Sequence, residues 1–199
     1  MKKIALLAVA GAFLAWAQGP TQKPESSGWI TLFDGRSLTG WHPEADAKWR
    51  VEGGLLIADS GGDGWLRSER QFGNFLLQAE FRNVKGGNSG IFLRATAATK
   101  ADDPSNPASS YEVQINNEDP TWATGSIEDV IQRIATVNPA PDQWHKYEIA
   151  VQGDHFVIHL DGKKVLDGRD AKIKSGYIGL QHHKDSPVAF RKITIQPSK

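Results

Sequence analysis

Apolar and polar residues alternate with period two over most of the chain. Phe75, Leu77, Ala79 and Phe81 share one face of a segment whose other face carries Leu76, Gln78, Glu80 and Arg82. Tyr111, Val113 and Ile115 alternate with Glu112, Gln114 and Asn116, and Phe156, Ile158 and Leu160 alternate with His155, Val157 and His159. Asp161-Gly162 then gives a hairpin signal. Further strands are predicted over 49–57, 89–94, 144–152, 176–182 and 188–196. Short strands at spacings near ten residues, with glycine and aspartate turns between them, argue for an all-β sandwich or jelly roll of antiparallel sheets. One stretch departs from this pattern. Ile127, Val130, Ile131 and Ile134 have helical spacing, with Ser126 as a cap and Glu128 and Asp129 in the first turn, which allows one short helix.

The alternation also fixes what the second face of each strand carries. Gln78-Glu80-Arg82, Phe92-Arg94 and Glu112-Gln114 would line up amides, guanidinium groups and carboxylates, and Gln181 and His183 share a parity that could join them. Such groups bond hydroxyls in pairs, so this face reads either as a sugar-binding trough or as a solvated surface with incidental ion pairs. Trp41, Trp49 and Trp144 are expected in the core, whereas Trp122, in a loop between Pro120 and Gly125, is the tryptophan free to stack on a sugar ring. His155 and His159 share a strand face about 13 Å apart, too far for one metal.

The ends of the chain change the picture in one respect. Lys2-Lys3, the apolar run 4–15 and Ala15-Trp16-Ala17 form a signal peptide with its cleavage site, so residues 1–17 are expected to be removed and the protein exported to the periplasm or secreted. The run is too short to span a bilayer comfortably. Residues 18–27 have linker composition, and 28–199 read as one domain, with 101–110 a long surface loop inside it. The 199 residues carry 23 basic and 23 acidic side chains, so nothing steers the protein toward nucleic acid or anionic lipid. The absence of cysteine excludes a disulfide framework, a thiolate nucleophile and thiolate metal sites. Chemistry therefore falls to carboxylates, imidazoles, hydroxyls, or a metal held by oxygen and nitrogen.

Five blocks in series carry a resemblance: 30–41 (ITLFDGRSLTGW), 87–94 (GNSGIFLR), 111–115 (YEVQI), 179–183 (GLQHH) and 190–193 (FRKI). In order and spacing the chain resembles the 3-keto-disaccharide hydrolase family of the concanavalin A-like lectin/glucanase superfamily, from about Trp29 to Pro197. The resemblance implies a concanavalin-like jelly roll acting on glycosides already oxidised at sugar C3 by a partner 3-dehydrogenase. Three positions depart from the family pattern: Asn116-Asn117 follows the third block, Glu128 stands where an aromatic is usual, and His182 stands where aspartate is common.

A C3 ketone acidifies the C2 proton, so a base can form an enolate that expels the C1 substituent, and water then adds to the enone. This route asks for one base near C2, a donor or cation near the C3 oxygen and an acid near the leaving oxygen. His183 and Glu112 compete as base. Arg94 is expected beside Glu112, holding the enolate oxygen and lowering the Glu112 pKa, which favours His183 as the base. Gln114, Gln181, Glu80, Asn88 and Trp122 are the expected sugar contacts, with His182 as a weaker acid. Glu112, His182 and His183 could also ligate a divalent ion, and Asp102 with Asp103 a structural calcium. Two other classes remain: a lectin-like binding module without turnover, and an ordinary glucanase, which needs paired carboxylates where strand 112–116 supplies one.

Overall fold

The computed structural model describes residues 28–103 and 105–198, so the expected signal segment 1–17 and linker 18–27 lie outside the described residues. Eleven strands follow in the chain: β1 (Ile30–Thr31), β2 (Trp41–Glu52), β3 (Leu55–Phe72), β4 (Asn74–Asn83), β5 (Ser89–Ala95), β6 (Tyr111–Ile115), β7 (His145–Gln152), β8 (His155–Leu160), β9 (Lys163–Arg169), β10 (Gly176–His182) and β11 (Val188–Ser198). They pair antiparallel in the order β6-β5-β10-β3-β11-β4-β7-β8-β9, with β1 added to β11 and β2 to β3.

Strand β3 belongs to both halves of this sheet. Near its start it pairs with β11 (Leu56 opposite Phe190), and toward its end with β10 (Leu66 opposite Leu180). Between the two, Gly61 takes a φ of +89°, and a Cβ there would lie 2.3 Å from the Asp46 carbonyl oxygen. Only glycine admits that approach of β2. The β2–β3 ribbon bends here, with a register shift between Ala45 and Ala47, and the sheet curls into two layers.

One buried cluster fills the space between the layers. Ile91, Leu93, Tyr111, Val113, Ile178 and Leu180 come from one side, and Leu77, Phe81, Tyr147, Ile149, Phe156 and Phe190 from the other. Each such side chain contributes roughly 1.5–3 kcal/mol by leaving water. The Tyr111 and Phe156 rings meet at 4.7 Å, and the Tyr147 hydroxyl donates to the Gln114 carbonyl at 2.7 Å. This is the jelly-roll sandwich that the alternation predicts.

Three local expectations are corrected. Among the described residues there is no helix: Ile127, with the helical spacing, instead bridges Val113 and Ile131, and the backbone of 124–128 bonds to the open edge of β6. Pairing that edge outweighs a weak local preference for helix. Segment 49–57 is two strands, because Gly53 and Gly54, both at positive φ (58° and 82°), form a two-residue hairpin turn between Glu52 and Leu55. Trp41 and Trp49 are buried as expected, but Trp144 is not core. It is half-buried, with the Arg191 and Arg82 guanidiniums 4.0 and 5.1 Å from its ring centroid.

Candidate functional site

The site grows from the edge of β6. Segment 124–128 returns along that edge, with the Glu128 N–H donating to the Glu112 carbonyl (2.9 Å) and the Gln114 N–H to the Ser126 carbonyl (3.0 Å). With Val113 bridged to Ile127, this register sets Glu112 and Glu128 directly across from each other, on the face turned away from the core. On the neighbouring strand β5 Glu112 pairs with Phe92, and its carboxyl reaches over Gly90, where a Cβ would come within 2.3 Å of Glu112 Oε1. The missing side chain lets the carboxyl lie flat on the sheet.

Strand β10, on the other side of β5, brings Gln181 and His182, and the turn after it brings His183. The Gln181 amide nitrogen donates to Asn106 Oδ1 at 3.2 Å, tying the long loop between β5 and β6 across this face. Within that loop the Asp103 carboxylate accepts from the Ser105 N–H (3.1 Å), the Ser105 hydroxyl and the Asn106 amide. Asn88, just before β5, is anchored by its N–H to Ser186 Oγ (3.1 Å). Together these residues line a cavity of about 360 Å³ with Asp63, Lys100, Glu128 and Asp129. That volume falls within the usual range of a small-ligand site.

Three acceptors of the cavity are left without donors. Asn88 Oδ1, Glu112 Oε1 and Gln181 Oε1 are buried acceptors without a partner, and each such atom costs the fold about 1–3 kcal/mol. Burial, and then the charge of Glu128, hold the Glu112 carboxyl well above the usual carboxylate range; Asp129 adds to the shift and Lys100 opposes it. His182 is buried and its Nδ1 bonds the Gly62 carbonyl at 3.1 Å. His183 stands at the rim, half of its side chain exposed, with Nδ1 3.7 Å from Asp63 Oδ1.

Of the residues expected from sequence, the fold gathers Glu112, Gln181, Asn88, His182 and His183 in this cavity, while Arg94, Gln114, Glu80 and Trp122 are absent from its lining. Arg94 is buried elsewhere, at a positive φ (53°), and donates to the carbonyls of Gly73 (2.8 and 3.0 Å) and Ile173 (2.6 Å). It is a clamp between loops rather than the partner of Glu112, so the expected lowering of the Glu112 pKa gives way to elevation. The side chain of Gln114 turns back onto the Ile115 N–H (2.9 Å). Glu80, on β4, is separated from β6 by four strands in the sheet order and pairs with Arg191 (2.6 Å) and Lys192 (2.8 Å). Trp122 is half-buried, its backbone N–H donated to Asp119 Oδ1.

No group of three or more histidine, aspartate or glutamate side chains among the described residues is placed to hold a metal ion, so Glu112, His182 and His183 do not form the expected ligand set; Asp103, expected with Asp102 at a calcium, bonds Ser105 and Asn106 of its own loop. A larger groove of about 580 Å³ lies over Arg50, Leu55, Ile57, Asp59 and Arg82. Its Arg50 is already paired with Asp59, and none of its lining residues holds an unpartnered buried side-chain atom. As site residues, sequence reasoning missed Asp63, Lys100, Asn106, Glu128 and Asp129, the last two read as the first turn of a helix. Their one shared signal is density of Asp, Asn and Ser in loops, which ordinary turns also have.

The molecule is a curled jelly roll with a polar cleft on one sheet face. A family model described as the 3-keto-alpha-glucoside-1,2-lyase-like domain matches residues 28–196, and the chain belongs to that family. A relative from Bacteroides thetaiotaomicron, named 3-keto-disaccharide hydrolase, is 27% identical over 86% of this chain and 79% of its own. The fold is similar to a candidate glycosyl hydrolase from Parabacteroides distasonis (TM-score 0.71, 26% identity, covering 86% of this chain and 100% of that one). It is also similar to a carbohydrate-binding module from Bacillus subtilis (TM-score 0.63, 16% identity, 79% and 95% covered).

Proposed function

We propose that the protein cleaves the glycosidic bond of glycosides already carrying a ketone at sugar C3, by elimination followed by hydration. Family membership and the name of the Bacteroides relative support the keto-sugar class. The observation that carries the reading is the coincidence, in one sugar-sized cavity, of an elevated carboxyl with two further acceptors that lack donors. Sugar hydroxyls supply such donors to Asn88 and Gln181. A carboxyl held above its usual range is a stronger base once ionised, suited to the weakly acidic C2 proton. Lys100, the one lysine of the lining, takes the place expected of Arg94 at the developing enolate oxygen, and His183 stands at the exposed rim. The substrate requires an upstream dehydrogenase that oxidises the sugar at C3.

The likeness to a carbohydrate-binding module favours a second reading, binding without turnover. One experiment separates them. Purified protein is incubated with a 3-keto-glucoside and its unoxidised parent, following release of the leaving group. Cleavage of the keto substrate alone is expected. Equal rates on both refute the elimination route, and saturable binding without release establishes the module.

A further inference from the structure

Glu112 and Glu128 form a directly opposed cross-strand pair. The Glu128 N–H bonds the Glu112 carbonyl (2.9 Å), the neighbouring residues Val113 and Ile127 are bridged, and both side chains line the same cavity. The charge of the facing Glu128 adds to burial in holding the Glu112 carboxyl above its usual range. Glu112 is 9% exposed and its Oε1, packed on Gly90, has no partner, whereas Glu128 is less buried. Two ionised carboxylates so placed would repel at close range in a poorly solvated site, and one retained proton removes that cost.

We propose that Glu112 and Glu128 hold a single proton between them and act as one acid–base unit, with Glu128 as a second catalytic carboxyl and Glu112 as its buried proton reservoir. This deepens the keto-glycoside reading and rests on it for the substrate. The singly protonated pair takes the C2 proton, and the C–H electrons form the enolate. As the C3 carbonyl re-forms, the C1–O bond breaks, and the departing oxygen takes a proton from the pair. The pair returns to one proton, leaving an enone and a free alcohol. Lys100 and Asp103 face the pair from the loop between β5 and β6, Asp129 from beside Glu128, His182 and His183 from the end of β10, and Asp63 from β3. Among these groups Lys100 favours ionisation and Asp129 opposes it.

The test combines a measurement without substrate and one with it, on the protein spanning residues 18–199. Infrared difference spectra against pH follow the carbonyl band of a neutral carboxyl. The wild type should show that band near neutral pH, E112Q should lose it, and E128Q should move its midpoint to lower pH, since the like charge across the strand is gone. With the keto-glucoside, E112Q and E128Q should each lower kcat by about 100-fold or more with little change in KM. The double variant should be no slower than the worse single, as expected of residues acting as a unit. Circular dichroism confirms that the isosteric variants fold. An unmoved band midpoint in E128Q, or losses that multiply in the double variant, overturns the proposal. If no keto substrate is cleaved by the wild type, the functional reading fails while the infrared titration still decides whether the proton is shared.

Discussion

Replacing Gly90 with alanine tests the placement of Glu112 without altering any charge. The Gly90 backbone is ordinary in φ, so alanine meets no conformational penalty. Its Cβ, however, would lie 2.3 Å from Glu112 Oε1, 2.7 Å from Cγ and 2.9 Å from Cδ, whereas ordinary contact begins at 3.4 Å. The carboxyl must move by roughly 1 Å, a displacement that costs on the order of 100-fold in rate where a reacting group is concerned. Overpacking costs about 1–3 kcal/mol, offset by about 0.4–1 kcal/mol from the less flexible unfolded chain, so a drop of a few degrees in melting temperature should accompany the rate loss. Initial rates on a 3-keto-glucoside and thermal melts are compared for Gly90→Ala in wild-type and Glu112→Ala backgrounds. With the side chain of Glu112 gone, the alanine has nothing to strike and should cost neither stability nor further activity. Equal losses in both backgrounds would show that Gly90 acts through something other than Glu112.

Three further outcomes are expected. Because the folded state holds the Glu112 carboxyl above its ordinary value, the unfolded chain loses that proton first, and stability declines as pH rises from about 4.5 through the folded value; Glu112→Gln should abolish that decline in urea denaturation at pH 5 to 9 while matching wild type at pH 4. Arg94→Ala should lower stability by about 2 kcal/mol, since two part-buried carbonyls lose a charged donor, and leave KM for the keto substrate unchanged, contrary to the role its sequence position suggests. Mass spectrometry of exported protein should give a chain beginning at Gln18; an intact Met1 or Lys2 in that material would refute processing after Ala17.

The strands were legible because each carries its own evidence in its alternation. Strand β6 ends where Tyr-Glu-Val-Gln-Ile does, β10 spans Gly176–His182 as expected, and Asp161 and Gly162 both take the positive φ that a tight hairpin demands (51° and 79°). Sheet order is not written in that alternation. Glu80 and Glu112 share the outward parity, yet four strands separate them, so the expected continuous trough divides. Arg94 was misread because parity presumes extended backbone, and its positive φ turns the side chain toward Gly73 and Ile173. Ile127 was misread because the demand it answers, the open edge of β6, is non-local. Asn106 and Glu128 reach the cavity through loop closure, and Asp63 through the bend of β3 after Gly61, for which one sequence offers no periodic sign.

The pairing of β3 with β10 has a consequence for the order of events when the chain folds. His182 and the Gly62 carbonyl it bonds are 120 residues apart in sequence, and Asp63 must meet the turn that begins at His183 to seat the Lys184 N–H. Closing so wide a span is slow, as in other domains built on distant strand pairings. The cavity cannot exist until β10 has docked, late in synthesis and late in folding. Appearance of catalytic competence during refolding should therefore lag collapse of the core, and a nascent or truncated chain lacking residues beyond 176 has no partial activity to lose.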